Sequence, residues 1–156
     1  LFGEIAAWAK DNGKTLYEML QDIYVEYGFS KEKGISVTKE GRSGAEEIEA
    51  MMKNFRENPI KEIAGSKVIL IKDFVTLKAQ DFSINEEYTL EMPTTSNVLQ
   101  YFTQDKTKVS IRPSGTEPKI KFYIEVQDKL KSREEYDAVN AATEKKIEQV
   151  CKDLGI

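Results

Sequence analysis

The 156-residue sequence contains no histidine and a single cysteine, Cys151. Without histidine the chain cannot supply a Ser-His-Asp or Cys-His nucleophile system, a His-ligated zinc site or a His general base. One cysteine cannot close an internal disulfide, so the fold does not depend on an oxidising compartment. Excess positive charge is also lacking: the net charge is −4 and the pI about 5.1, against the basic balance of a nucleic-acid binder. No apolar run approaches the ~20 residues that span a bilayer. The first nine residues are apolar but carry Glu4 and no basic leader, so they do not read as a signal peptide. No membrane partner, no nucleic-acid partner and a cytoplasmic location are therefore expected. The first residue is Leu1 rather than Met, as expected of a piece cut from a longer chain.

What is present is ordinary globular patterning. Residues 1–11 read as the apolar end of a helix stopped near Asn12-Gly13. A second helix is expected at about 15–27, opened by a Thr15/Glu18 capping box, with the stripe Leu16, Leu20, Ile23 and Tyr27. So apolar a pair needs a partner surface, either the rest of the chain or a preceding domain. Alternation at 35–38 suggests a strand. Ser43 with Glu46 predicts a capping box opening a helix at 44–57, with the stripe Ala45, Ile48, Met52 and Phe55. Residues 68–71 are β-branched and read as a buried strand. Residues 73–96 are the least regular part, and no element is assigned to them. Strands are expected at 98–102, 107–112 and, most clearly, at 120–126, where apolar and polar residues alternate. A third box, Ser132/Glu135, predicts a long helix with the stripe Tyr136, Val139, Thr143, Ile147, Val150 and Leu154. From about residue 33 the order reads β-α-β-β-β-α. That implies an α+β fold, a mostly antiparallel four-stranded sheet with two helices on one face. Cys151 falls on the apolar side of the last helix, as an inert thiol would.

One segment departs from this scaffold pattern, Arg112-Pro113-Ser114-Gly115-Thr116-Glu117-Pro118, between two strands. The prolines fix φ at its two ends, leaving four residues whose amides can point into one concavity. Gly115 removes a Cβ that would hold a ligand away, Ser114 and Thr116 add hydroxyls, and Arg112 adds a planar fork suited to phosphate. Such an arrangement is an anion-binding nest. Lys106, Lys108, Arg112, Lys119 and Lys121 stand around it against Glu117 alone, a local balance of five minus one, or +4. Ser, Gly, Thr and Pro are also plain turn residues, and strand-edge lysines also serve only to discourage edge pairing. On composition alone both readings stand.

The run Val109-Ser-Ile-Arg-Pro-Ser-Gly-Thr-Glu-Pro-Lys-Ile-Lys-Phe-Tyr-Ile-Glu-Val126 resembles the phosphate-binding loop and following strand of the α-D-phosphohexomutases, more narrowly the phosphoglucomutase/phosphomannomutase group. The likeness extends to Ser96-Asn97-Val98-Leu99, to Gly44-Ala45-Glu46 and to Asn58-Pro59. Residues 4–28, with Gly13-Lys-Thr-Leu-Tyr, resemble the helices that close the family's third domain. The resemblance implies that residues 1–28 end a third domain and that 29–156 form the fourth, C-terminal domain, whose family fold is similar to that of the TATA-binding protein. It implies that Arg112, Ser114, Gly115 and Thr116, with Lys121 a lesser member, grip the phosphate of a hexose phosphate that is not being transferred.

The same resemblance implies a parent that interconverts hexose 1-phosphate and 6-phosphate through a bisphosphate intermediate. Its phosphoserine and Mg²⁺ would sit on domains outside this chain, and those domains would be its partners. The transferring Ser-His-Asn context cannot occur without histidine. No two aspartates are two apart, so the Asp-x-Asp-x-Asp metal loop is absent, and Gly3-Glu4 continues as Ile-Ala-Ala instead of the sugar-recognition motif. No catalytic residue, no metal ligand and no cofactor of its own are therefore expected, and the chain alone is expected to be inactive. Two other readings share the loop: a phosphoglucosamine-type sister mutase domain, and a free-standing phosphosugar-binding module. The resemblance implies that sugar choice is set mostly on the third domain.

Overall fold

Alternation around 120–126 marks the centre of a longer strand, and the neighbouring strands are built on the same rule. The computed structural model describes residues 1–39 and 41–156. Its elements are α1 (Phe2–Asp11), α2 (Leu16–Tyr27), β1 (Phe29–Thr38), α3 (Gly41–Glu57), β2 (Glu62–Ile63) and β3 (Ser66–Asp73). Then follow β4 (Lys78–Asp81), β5 (Glu86–Thr89), β6 (Leu99–Thr103), β7 (Lys108–Pro113), β8 (Lys119–Asp128), a 3-10 turn (Arg133–Glu135) and α4 (Tyr136–Leu154). The class is α+β, as expected.

The sheet has eight strands rather than four, in the order β1-β8-β7-β6-β3-β4-β5, with β2 paired to β3. Part of the excess is a hairpin in the unassigned stretch 73–96, where Lys78–Asp81 pairs antiparallel with Glu86–Thr89. It escapes a sequence reading because all four residues of β5 are exposed and leave no alternation. The turn into it and its own bend are also made by non-glycine residues at positive φ, Leu77 and Asn85 respectively.

The chain divides into two compact units, Leu1–Lys31 with Gln127–Lys145, and Glu32–Val126 with Lys146–Ile156. The second holds the main core. Leu99 and Tyr101 of β6, Val109 and Ile111 of β7, and Ile120, Phe122, Ile124 and Val126 of β8 all point to one sheet face. Ile48, Met52 and Phe55 of α3 and Ile147, Val150 and Leu154 of α4 cover that face. The α3 stripe thus reaches this core except for Ala45, which is exposed; of the α4 stripe only Ile147, Val150 and Leu154 do, while Tyr136, Val139 and Thr143 belong to the first unit. Phe55 and Phe122 meet edge-on at 6.1 Å, and the Tyr101 hydroxyl donates to the Phe55 carbonyl at 2.6 Å. Burial pushes the Tyr101 phenol up to about 12.

Two of the expected capping boxes are not formed among the described residues. Helix α3 begins at Gly41, which puts Ser43 inside its first turn instead of at its cap. Ser132 makes no cap hydrogen bond, because the chain first forms the 3-10 turn; Glu135 instead accepts from the Lys131 amide at 3.3 Å.

In the first unit the Thr15/Glu18 box is complete. The expected α2 stripe faces outward, with Leu20, Ile23 and Tyr27 exposed. The inward face instead carries Tyr24, which stacks with Tyr136 and meets Phe29 edge-on, and Asp22. Asp22 accepts from Arg133 at 2.5 and 2.6 Å and from Lys14 at 2.6 Å. The Arg133 bonds, then the Lys14 bond, hold its carboxyl down at about 2 against the opposing effect of desolvation. A depressed carboxylate contributes stability above its ordinary value near 3.8 and loses it as pH falls toward 2. A carboxyl-carbon NMR titration should therefore give Asp22 a midpoint near 2, and Arg133→Ala should move it only part of the way back toward the ordinary range, because the Lys14 bond remains. A midpoint near 3.8 in the unmodified chain would show that the pair does not form.

Candidate functional site: the loop between β7 and β8

The loop is held by its own backbone. The Ser114 amide donates to the Lys119 carbonyl at 2.8 Å, the Lys119 amide to Glu117 at 2.7 Å, and the Lys39 amide to the Pro118 carbonyl at 2.9 Å. The expectation of four free amides is corrected in part, since that of Ser114 is taken. Those of Thr116 and Glu117 turn toward the Ser114 Oγ at 3.4 and 3.3 Å, longer than the usual 2.9–3.0 Å. No hydrogen bond is recorded for the Gly115 amide among the described residues. Successive donors therefore converge around the Ser114 hydroxyl, with slack that an anion's oxygens can take up.

Gly115 does not have a positive φ, and a Cβ added there would meet nothing within 4 Å. Its lack of a side chain thus answers no need of the folded chain. Gly44 is the opposite case, for an added Cβ would lie 2.4 Å from the Lys39 carbonyl oxygen.

Ser114, Gly115 and Thr116 line a recess of about 450 Å³ with Pro113, Asn97, and Ala45, Glu49 and Met52 of α3. Arg112 and Lys121 are not part of that lining. They face each other across the β7–β8 ladder, and alternation with the buried Ile111 and Phe122 turns them to the sheet face opposite the one that α3 covers. The five expected residues therefore form two groups: a donor-rich recess on the helix side and a cross-strand cationic pair at the loop's base.

The local charge is also redistributed. Lys119 pairs with Glu117 at 2.5 Å; that hydrogen bond, with the charges of Lys119 and Lys121, holds the Glu117 carboxyl below its usual range. Lys108 pairs with Glu125 at 3.8 Å. Lys108 lies four residues from Arg112 along β7, about 14 Å at ~3.4 Å per residue, beyond a Debye length of about 8 Å. Among the described residues neither Arg112 nor Lys121 has an ion-pair partner. The expected +4 cluster reduces to these two side chains beside the loop.

The recess residue that the sequence reading left without a role is Asn97. Its Oδ1 accepts from Arg56 Nη2 at 2.7 Å, and Arg56 Nε also donates to Asp73 at 3.1 Å. No spacing in the sequence announces this, because the partners come from α3, β3 and the segment before β6. Among the described residues no group of three or more His, Cys, Asp or Glu could hold a metal, and no helix is long and apolar enough to cross a membrane.

Comparison with known proteins bears on the family. Residues 35–142 match the family described as phosphoglucomutase/phosphomannomutase, C-terminal domain. A phosphoglucomutase of Staphylococcus haemolyticus is 40% identical over 115 residues, which are 74% of this chain and 21% of that protein. One from Staphylococcus epidermidis is 39% identical over 119 residues, 76% of this chain and 21% of that protein. The chain thus spans about a fifth of the length of the curated relatives it matches. A solved structure of the Paramecium phosphoprotein pp63/parafusin, a phosphoglucomutase in its open form, covers 91% of this chain and 24% of its own at 15% identity. Its TM-score of 0.41 is too low to bear on the fold described above. The match over residues 35–142, which includes the β7–β8 loop, makes this chain a member of the phosphoglucomutase/phosphomannomutase family, carrying its C-terminal domain.

Proposed function

We propose that this domain grips the non-transferring phosphate of a hexose phosphate, and that it does so for a mutase interconverting hexose 1-phosphate and 6-phosphate. The observation that carries the reading is the loop itself: the amides of Thr116 and Glu117 converging on Ser114, the Ser114 and Thr116 hydroxyls, and at its base Arg112 and Lys121, which have no ion-pair partner among the described residues. The volume of the adjoining recess suits a small phosphosugar. A grip on phosphate, indifferent to the sugar, serves a bisphosphate intermediate that must present either end to the phosphorylating group. Holding the substrate in this way is a large part of phosphoryl-transfer catalysis.

These residues do not fit Mg²⁺, and no part of the grip runs through a metal. The Mg²⁺ and phosphoserine of such a mutase would be supplied by other domains, and the chain alone would be inactive. We assign residues 1–28 to the end of a preceding domain and 29–156 to the fourth domain. The outward apolar side chains of the first two helices support this, with Trp8 56% and Tyr27 77% exposed. The cytoplasm is the compartment that suits a phosphosugar enzyme with a single cysteine and no disulfide of its own.

Gly115→Ala separates grip from scaffold. The added methyl has open space in the free chain, and glycine-to-alanine changes at permitted φ stabilise by about 0.4–1 kcal/mol. The melting temperature should hold or rise while affinity for glucose 6-phosphate falls about fivefold, roughly 1 kcal/mol. Unchanged affinity in that variant would count against the loop as the anchor.

A further inference from the structure

We infer that Asn97 is a further phosphate-binding residue of this recess, with Arg56 as the residue that positions it; the inference rests on the anchoring role proposed for the loop. Arginine has only donors, so the Asn97 atom 2.7 Å from Arg56 Nη2 must be the amide oxygen. That fixes the orientation of the amide and turns Nδ2, with two N–H donors, away from the guanidinium. No acceptor for Nδ2 is recorded among the described residues.

The guanidinium is itself held. Its Nε bonds Asp73 at 3.1 Å, and both side chains are largely shielded, at 23% and 16% exposure. The Asp73 Oδ1 also accepts from the Val75 amide at 3.0 Å. The backbone around Asn97 is tied to the same place, since Ser96 donates to the Phe74 carbonyl and Phe74 to the Val98 carbonyl, each at 3.0 Å. A chain of bonds therefore runs from the end of β3 through Arg56 to Asn97. It leaves a neutral, oriented donor lining the same recess as Ser114, Gly115 and Thr116. Glu49 lines it too, so a further donor in the recess helps offset a carboxylate near an incoming anion.

Asn97→Asp tests this directly. Aspartate keeps an acceptor for Arg56, so folding is retained, but it replaces the free donor by negative charge. In amide NMR titrations of the full chain, the Kd for both inorganic phosphate and glucose 6-phosphate should rise at least about tenfold with the melting temperature held. Asn97→Ala should raise it about threefold. Arg56→Met should do the same by releasing the amide, and Arg56→Lys, which keeps a donor toward Oδ1, should restore most of the affinity. An Asn97→Asp chain that binds both ligands within about twofold of the unmodified chain, while Arg112→Ala weakens binding about tenfold or more, would overturn the role of Asn97 and leave the loop's role standing. No binding by the unmodified chain would overturn both.

Discussion

Arg112→Ala should weaken binding of glucose 6-phosphate to this chain by about ten- to a hundredfold. The guanidinium is exposed, has no carboxylate partner among the described residues and sits at the base of the loop, across the ladder from Lys121. Hydrogen bonds to a charged group contribute about 1.5–3 kcal/mol, and each 1.4 kcal/mol is tenfold in affinity. Exposure places the effect toward the lower end, because solvent screens the pair. In a complete mutase carrying this domain the same change should act mainly on KM, with a smaller fall in kcat from mispositioning. Lys121→Ala should have the weaker effect, since its charge already acts on Glu117. Equal affinity of the Arg112→Ala and unmodified chains, measured by titration calorimetry or NMR, would remove the cation from the grip.

Phe122→Ala should be the most damaging single change to the scaffold, at about 3–5 kcal/mol. The ring is fully buried at the middle of β8, under α3 and α4, and meets Phe55 edge-on. Domain stabilities are typically about 5–15 kcal/mol, so this is a large share of the total. Urea unfolding followed by circular dichroism should show the midpoint falling sharply with little change in slope. A loss below about 1 kcal/mol would mean that the β8 face is not the core. The neighbouring Tyr123, on the other sheet face and 47% exposed, should tolerate alanine within roughly 0.5–1 kcal/mol.

That contrast between Phe122 and Tyr123 was legible in the sequence, because a strand with one wet face alternates. For the same reason Val109, Ile111 and Ile120 declare their side. The loop was legible too, since Pro113, Gly115 and Pro118 punctuate it whatever it binds. Other features had no local signature. The β4–β5 hairpin has one strand wholly exposed, and the turn into it and its own bend fall on Leu77 and Asn85, where glycine would have been the signal. Helix α2 carries apolar side chains on both faces, so its periodicity did not show that Tyr24 would turn inward and Tyr27 outward. Ser43 and Ser132 have the spacing of caps, but the helices start elsewhere. The separation of Arg112 and Lys121 from the recess follows from sheet alternation, which a list of basic residues ignores. Asn97 joins the site only because Arg56, forty-one positions away, lies beside it in the fold.

The central claim is that the loop from Arg112 to Thr116 holds phosphate. It is tested most directly by an amide NMR titration of this chain with glucose 6-phosphate into the millimolar range. Binding should be weak, because only one wall of the proposed cleft is present, and a millimolar Kd corresponds to about 4 kcal/mol. The amides of Arg112, Ser114, Gly115 and Thr116 should shift saturably, Gly115 most, and inorganic phosphate should move the same set. Titration to saturating concentration with those four amides unmoved, in a chain that remains folded, would contradict the account.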